Sequence, residues 1–126
     1  MLTIGKAATV NTIVTDKNTA KSVGSGSLDV FSTPMMVALM AKAACECLAD
    51  SLEVGQTSVG TLVNIVHLAA SALDAEVSAT ATVTQVDGRK VSFDVTAHDG
   101  KTEIGKGLHE RFIVDSEKFM KKLEKR

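Results

Sequence analysis

Apolar residues recur along this chain with two different periods. They alternate as Val77, Ala79, Ala81, Val83 and again as Val91, Phe93, Val95, Ala97, the period of two expected of strands with one buried face. From Pro34 to Leu48 they instead crowd nearly every position. Met35, Met36, Val37, Leu39, Met40, Ala43, Ala44, Cys47 and Leu48 leave only Lys42, Glu46 and Asp50 to look outward, which predicts a nearly surrounded helix. Pro34 suits the first helical position, where its missing N–H is not needed, so Thr33 is the expected N-cap.

The remaining pattern fills in around that helix. Residues 6–15, rich in Thr and Val, predict a first strand. A helical turn is expected at 16–21, started by Asp16, followed by a loop through Gly24 and Gly26; Leu28, Val30 and Phe31 then return to the core. Four strand-like stretches follow the long helix, at 56–69, 76–86, 90–98 and 102–115, and read as an antiparallel meander. Asp87-Gly88 and Asp99-Gly100 predict hairpins between the last three. Asp115-Ser116 should cap a short amphipathic helix, 117–125, with Phe119, Met120 and Leu123 on one face. The whole, residues 1–126, is expected to be one α+β domain: a five-stranded antiparallel sheet curled around one long central helix, plus a short C-terminal helix. Ala38, Ala41, Ala43 and Ala44 allow the sheet to approach closely. Its open edge would be covered by pairing with a second copy, so a homodimer is expected.

Composition narrows the function. Apolar residues make up 44%, charged residues 23%, and the net charge is −1, an ordinary globular balance. With no basic footprint, 3% aromatics and neither Trp nor Tyr, a nucleic-acid partner is not expected. Cys45 and Cys47, at i and i+2 on a helix, point apart and cannot bridge, and they read as small buried apolar residues. Unpaired thiols suit a reducing compartment. No apolar leader stands at the N-terminus, and no run approaches the roughly 18 apolar residues of a membrane span. A cytoplasmic location without membrane attachment follows as the expectation.

The chemistry concentrates in two places: STP at the helix start and His67 on the strand behind it. Singly, Thr33 reads as a cap, His67 as a core histidine and Gly60 as a bulge. Taken together, the runs GSGSLDVFSTPMMVALMAKAAC, VGQTSVGTLVNIVHLAAS, VDGRKVSFDVTAHDG and IGKGLHERFIVD resemble the fluoroacetyl-CoA thioesterase-like branch of the hotdog-fold thioesterases, from about Val14 to Asp115. The most specific pieces are STP, VGT-x5-H and G-x-HERF. The resemblance implies a hotdog fold and hydrolysis of an acyl-CoA thioester to the free acid and CoA. It also implies a catalytic set of Thr33, a Glu within the helix, and His67, with Gly60 close to the thioester carbonyl. The Glu position falls on Ala41.

Imidazole exchanges protons near neutrality, so His67 suits the base, with Thr33 and the helix N-terminal amides at the thioester. At about 100° per residue, Glu46 lies on another helix face and is expected to pair with Lys42 instead. Cys45, one turn beyond Ala41, is open to two readings: a thiol nucleophile beside His67, or a core thiol. Phe31, Ser32, Gly60, Ala41, Cys45 and Arg111 form the expected substrate-binding set. Lys90, Lys101, Lys106 and Arg111 are candidates for the CoA phosphates. No metal and no cofactor beyond the CoA of the substrate is expected. The family's fluoroacetate specialist carries an aromatic gate before the helix, whereas this loop has Gly24 and Ser27. A fluoroacetyl specialist is therefore not expected, and a pocket enlarged at Ala41 would admit longer acyl groups. The alternative is a non-catalytic acyl-CoA or small-ligand binding protein, favoured by Ala41.

Overall fold

The computed structural model describes residues 2–126. The chain runs β1 (Ala7–Ile13), α1 (Ala20–Val23), α2 (Thr33–Leu48), β2 (Gln56–His67), β3 (Glu76–Asp87), β4 (Lys90–Asp99), β5 (Thr102–Asp115) and α3 (Ser116–Glu124), with a 3-10 turn at Ala49–Ser51 closing α2. The five strands form one antiparallel sheet in the order β1-β3-β4-β5-β2. Only β3, β4 and β5 form a meander. β2 does not pair with its successor; it lies at the far edge beside β5, and the segment 68–75 carries the chain back across three strand spacings, roughly 14 Å. Both hairpins form where Asp-Gly predicts them. Asp87 pairs with Lys90 and Asp99 with Thr102, so the turn pairs are Gly88-Arg89 and Gly100-Lys101. Only the glycines have positive φ, 61° and 60°, as in a II′ turn with Gly first.

The segment ahead of α2 departs from expectation in a way that matters for the site. The helical turn starts at Thr19, whose Oγ1 accepts the Ser22 N–H at 3.2 Å, and not at Asp16. Asn18 explains the shift. Its side chain accepts the Thr15 N–H at 2.9 Å and donates to the Ile13 carbonyl at 3.0 Å, holding residues 13–18 in a turn of their own. Its carbonyl then accepts the Ser32 N–H at 3.0 Å, tying the end of β1 to the start of α2.

The core lies between α2 and one half of the sheet. Met36, Leu39, Met40, Ala43, Ala44, Cys47 and Leu48 are buried, with the alternating inner residues of β3 and β4 buried against them. Each large side chain so enclosed contributes about 1.5–3 kcal/mol. The helix packs chiefly on β3 and β1, less on β4 and β2, and so it is not surrounded. Ala38 and Cys45 are exposed, and Met35, Val37 and Ala41 are half-buried. Cys47 does sit in the core, where burial pushes its thiol up from its ordinary value. Cys45 does not, because its face of α2 points away from the sheet. Lys42 and Glu46 form no ion pair among the described residues; Lys6 pairs with Asp50 instead, anchoring the N-terminal segment to the end of α2. Among the described residues no helix is long and apolar enough to cross a membrane.

The register of β5 gives the inner face its shape. Gly105, Gly107, His109 and Arg111 lie opposite Ala97, Val95, Phe93 and Val91, so two glycines precede two large polar residues on one face. A Cβ on Gly107 would collide with the Asn64 carbonyl and stand 2.6 Å from Ile65 Cα. Backbone cannot yield as a side-chain tip does, so Gly107→Ala should destabilise the fold by about 3 kcal/mol. Chemical denaturation should show a lower midpoint with an unchanged slope.

Candidate active site

The helix start divides its work between two neighbouring hydroxyls. Ser32 is the N-cap: its backbone is extended (φ −79°, ψ 148°) and its Oγ accepts the Met35 N–H at 3.2 Å. Thr33, the expected cap, is the first helical residue, and Pro34 follows it. Released from capping, the Thr33 hydroxyl meets His67 Nδ1 at 2.7 Å across the gap to β2. The free donors at this helix end are also fewer than its four-amide complement suggests. The Ser32 N–H goes to the Asn18 carbonyl, Pro34 has none, the Met35 N–H goes to Ser32 Oγ, and the Met36 N–H goes to the Ser32 carbonyl. The expected group of N-terminal amides reduces to one, the Thr33 N–H.

A glycine brings the two partners together. His67 pairs across the sheet with Gly105, and a Cβ there would lie 2.5 Å from Met36 Sδ. Met36 thus occupies the space a side chain at 105 would fill, letting the first turn of α2 settle on the end of β2. The hydroxyl and imidazole face a cavity of about 360 Å³, whose wall includes Phe31, Ser25, Leu68 and Ala69. Phe31 is buried, its N–H held by the Ser71 carbonyl at 2.9 Å. The other imidazole nitrogen, His67 Nε2, is buried and has no hydrogen-bond partner among the described residues. Ala41 and Cys45 lie outside the cavity wall. No carboxylate completes the pair, and no group of three His, Cys, Asp or Glu that could hold a metal occurs among the described residues.

Gly60 and Arg111 lie elsewhere. His67 lies seven positions beyond Gly60 on one strand, roughly 23 Å at 3.3 Å per residue. Gly60 pairs with Arg111, and the β2–β5 register slips between Gly60 and Leu62. A Cβ on Gly60 would stand 3.4 Å from both Arg111 Nη1 and His109 Cε1. Arg111 is only 8% exposed and is no charge at a cleft rim. Its Nε donates to Ser58 Oγ at 2.8 Å, Nη2 to the Ser58 carbonyl at 3.0 Å, and Nη1 to His109 Nε2 at 3.2 Å. His109 Nδ1 donates to the Leu62 carbonyl at 2.9 Å.

Residues 14–117 match the family described as fluoroacetyl-CoA-specific thioesterase. The chain belongs to that family. It is 42% identical over 98 residues, 78% of this chain and 70% of the relative, to the fluoroacetyl-CoA thioesterase of Streptantibioticus cattleyicolor. Among solved structures it matches a Phe-to-Ala variant of a fluoroacetyl-CoA-specific thioesterase in complex with fluoroacetate and CoA, at TM-score 0.89 and 35% identity over 94% of this chain and 99% of that one. A hot-dog-like protein from Thermanaerovibrio acidaminovorans matches at TM-score 0.89 and 28% identity, over 98% and 91% of the two chains. The curled sheet around α2 is thus the hotdog fold, and this family member is a thioester hydrolase by kinship.

Of the residues singled out from the sequence, the structure joins Thr33, His67 and Phe31 at one cavity with Ser32 capping beside them. It sets Gly60 and Arg111 apart from these within one chain. Sequence reasoning passed over His109, although its signal was present: His109 and Arg111 at i and i+2 must share a strand face. The division of labour at the helix start is testable by thermal or chemical unfolding. Ser32→Ala should cost about 1 kcal/mol of stability, the usual loss for a cap, and Thr33→Ala much less.

Proposed function

We propose that this thioesterase hydrolyses an acyl-CoA through Thr33 and His67, on the strength of one observation, the 2.7 Å hydrogen bond between Thr33 Oγ1 and His67 Nδ1 at the cavity. His67 Nδ1 takes the Thr33 hydroxyl proton as Oγ1 attacks the thioester carbonyl. The Thr33 N–H, at the positive end of α2, stabilises the oxyanion. The C–S bond breaks and the CoA sulfur leaves with the proton held by His67. Water then gives its proton to the same nitrogen and attacks the acyl-threonine, releasing the free acid and restoring the hydroxyl. Coenzyme A enters only as part of the substrate. The free thiols of Cys45 and Cys47 fit the cytoplasm, where we place the enzyme.

Two copies make the site whole in this reading. β2 is a free edge, with Leu62, Val63 and Val66 exposed along it. Antiparallel pairing of two such edges about the midpoint between Val63 and Asn64 sets His67 across from Gly60 of the partner subunit. That brings the glycine to the thioester carbonyl and, beside it, Arg111 of the partner subunit to the acyl end. Arg111 is then an acyl-side group rather than a phosphate ligand.

One feature favours a second reading, a protein that binds acyl-CoA without cleaving it. His67 Nε2 has no partner among the described residues and Ala41 supplies no carboxylate, so none of them orients the imidazole from behind. Thiol release from a panel of short, branched and medium-chain acyl-CoAs separates the two. Under the enzyme reading, His67→Ala and Thr33→Ala each lower turnover by about 10²–10⁴-fold, and Thr33→Ser retains much of it. Bound CoA thioesters with no thiol release above background in the wild type would leave only the binding protein. For the shared site, His67→Ala and Gly60→Phe should each be inactive alone, yet regain activity when mixed and refolded together. A heterodimer holds one intact pair; failure to complement, with dimers present by light scattering, overturns the shared site.

A further inference from the structure

The proposed reaction leaves His109 without a role, yet it is 3% exposed on the inner face and makes two directed contacts that fix its tautomer. Leu62 offers a carbonyl, which only accepts, so His109 Nδ1 carries the proton. Arg111 offers an N–H, which only donates, so His109 Nε2 is a bare acceptor. The chain of contacts from Ser58 through Arg111 and His109 to Leu62 brackets the register slip at Gly60–Leu62 from both sides. From β4, the Phe93 ring stacks on the imidazole at 6.3 Å between centroids. Resting on the acyl-CoA reading above, we infer that His109 is a positioning residue for the acyl end of the site: its Nδ1-protonated imidazole braces the bulge of β2 and holds the Arg111 guanidinium against Gly60.

The electrostatics agree. Burial, with the charge of Arg111 adding to it, pushes the His109 imidazole below its ordinary value, against the opposing pull of the Leu62 carbonyl. Arg111 is the charged group acting on it; β2 and β4 present a carbonyl and an aromatic ring. Protonation would turn Nε2 into a donor facing another donor, and so release the guanidinium. The unfolded chain binds this proton more readily than the native one. The contribution to stability is therefore complete above the ordinary histidine pKa of about 6.5 and declines as pH falls below it.

Nitrogen-15 NMR of the imidazoles and of Arg111 Nε–H through an acid titration tests this on the wild-type protein. The expected result is one His109 tautomer, protonated at Nδ1, with the Arg111 signal shifting in step with His109 titration. An Nε2-protonated tautomer, or an Arg111 signal indifferent to His109, overturns it. Steady-state kinetics add a second readout. His109→Leu should raise KM roughly 10- to 100-fold, the cost of a buried donor left unpaired, with kcat little changed. His109→Gln, which keeps an acceptor for Arg111, should restore most of the loss; a fall in kcat alone would refute positioning. Should the NMR coupling hold while the wild type cleaves no acyl-CoA, it is the acyl-CoA reading that fails, and the brace stands.

Discussion

One apolar helix has to cover five strands, and it reaches only part of them. α2 buries its Met, Leu and Ala face on β3 and β1, where Ala79 and Ala81 let it settle close, at about the spacing two packed layers allow. That placement leaves the inner face of β5 and β2 with less helical cover from the same chain, mainly the first turn of α2 against Gly105 and His67. That half holds Gly60, Val63 and the buried His109–Arg111 network, and the Thr33–His67 pair stands on the border between the two halves. The dimer proposed above would cover the apolar free edge of β2.

Chemistry at the border depends on small geometric allowances. Gly105 yields its side-chain space to Met36, which lowers the first turn of α2 onto the end of β2. Ser32 takes the capping bond, and the next hydroxyl is freed for the imidazole. Pro34 removes one donor and Ser32 consumes two more, so the electrophilic end of the helix comes down to a single N–H. In the proposed reaction this site supplies a nucleophile, a base and one oxyanion donor, without a carboxylate behind the base. Thioesters are reactive enough acyl donors for such a reduced set to act on without the Glu that Ala41 replaces.

The fold and half of the site were legible in the amino-acid sequence because both depend on local rules. Period-two alternation placed β3 and β4, Asp-Gly placed both hairpins, and the Pro34 signal placed the start of α2 to within one residue. What that residue decided could not be read: whether Ser32 or Thr33 caps depends on which hydroxyl has a better partner elsewhere, and the partner, His67, is 34 positions away. Strand order was equally hidden, since a run of strands reads as a meander until the pairing of β2 with β5 is seen. The helix pattern overstated its own burial, because an apolar residue such as Ala38 or an uncharged one such as Cys45 marks tolerance of burial and not the presence of a neighbour.

Local composition and spacing thus determined the elements and their turns, and it was the family resemblance that singled out Thr33 and His67. Tertiary structure alone decided the distances. It joined Thr33 to His67, separated Gly60 from both, and turned His109 and Arg111 toward each other around a slip in strand register. Those outcomes rest on pairing and packing between segments far apart in the chain, where no period of two or 3.6 carries information.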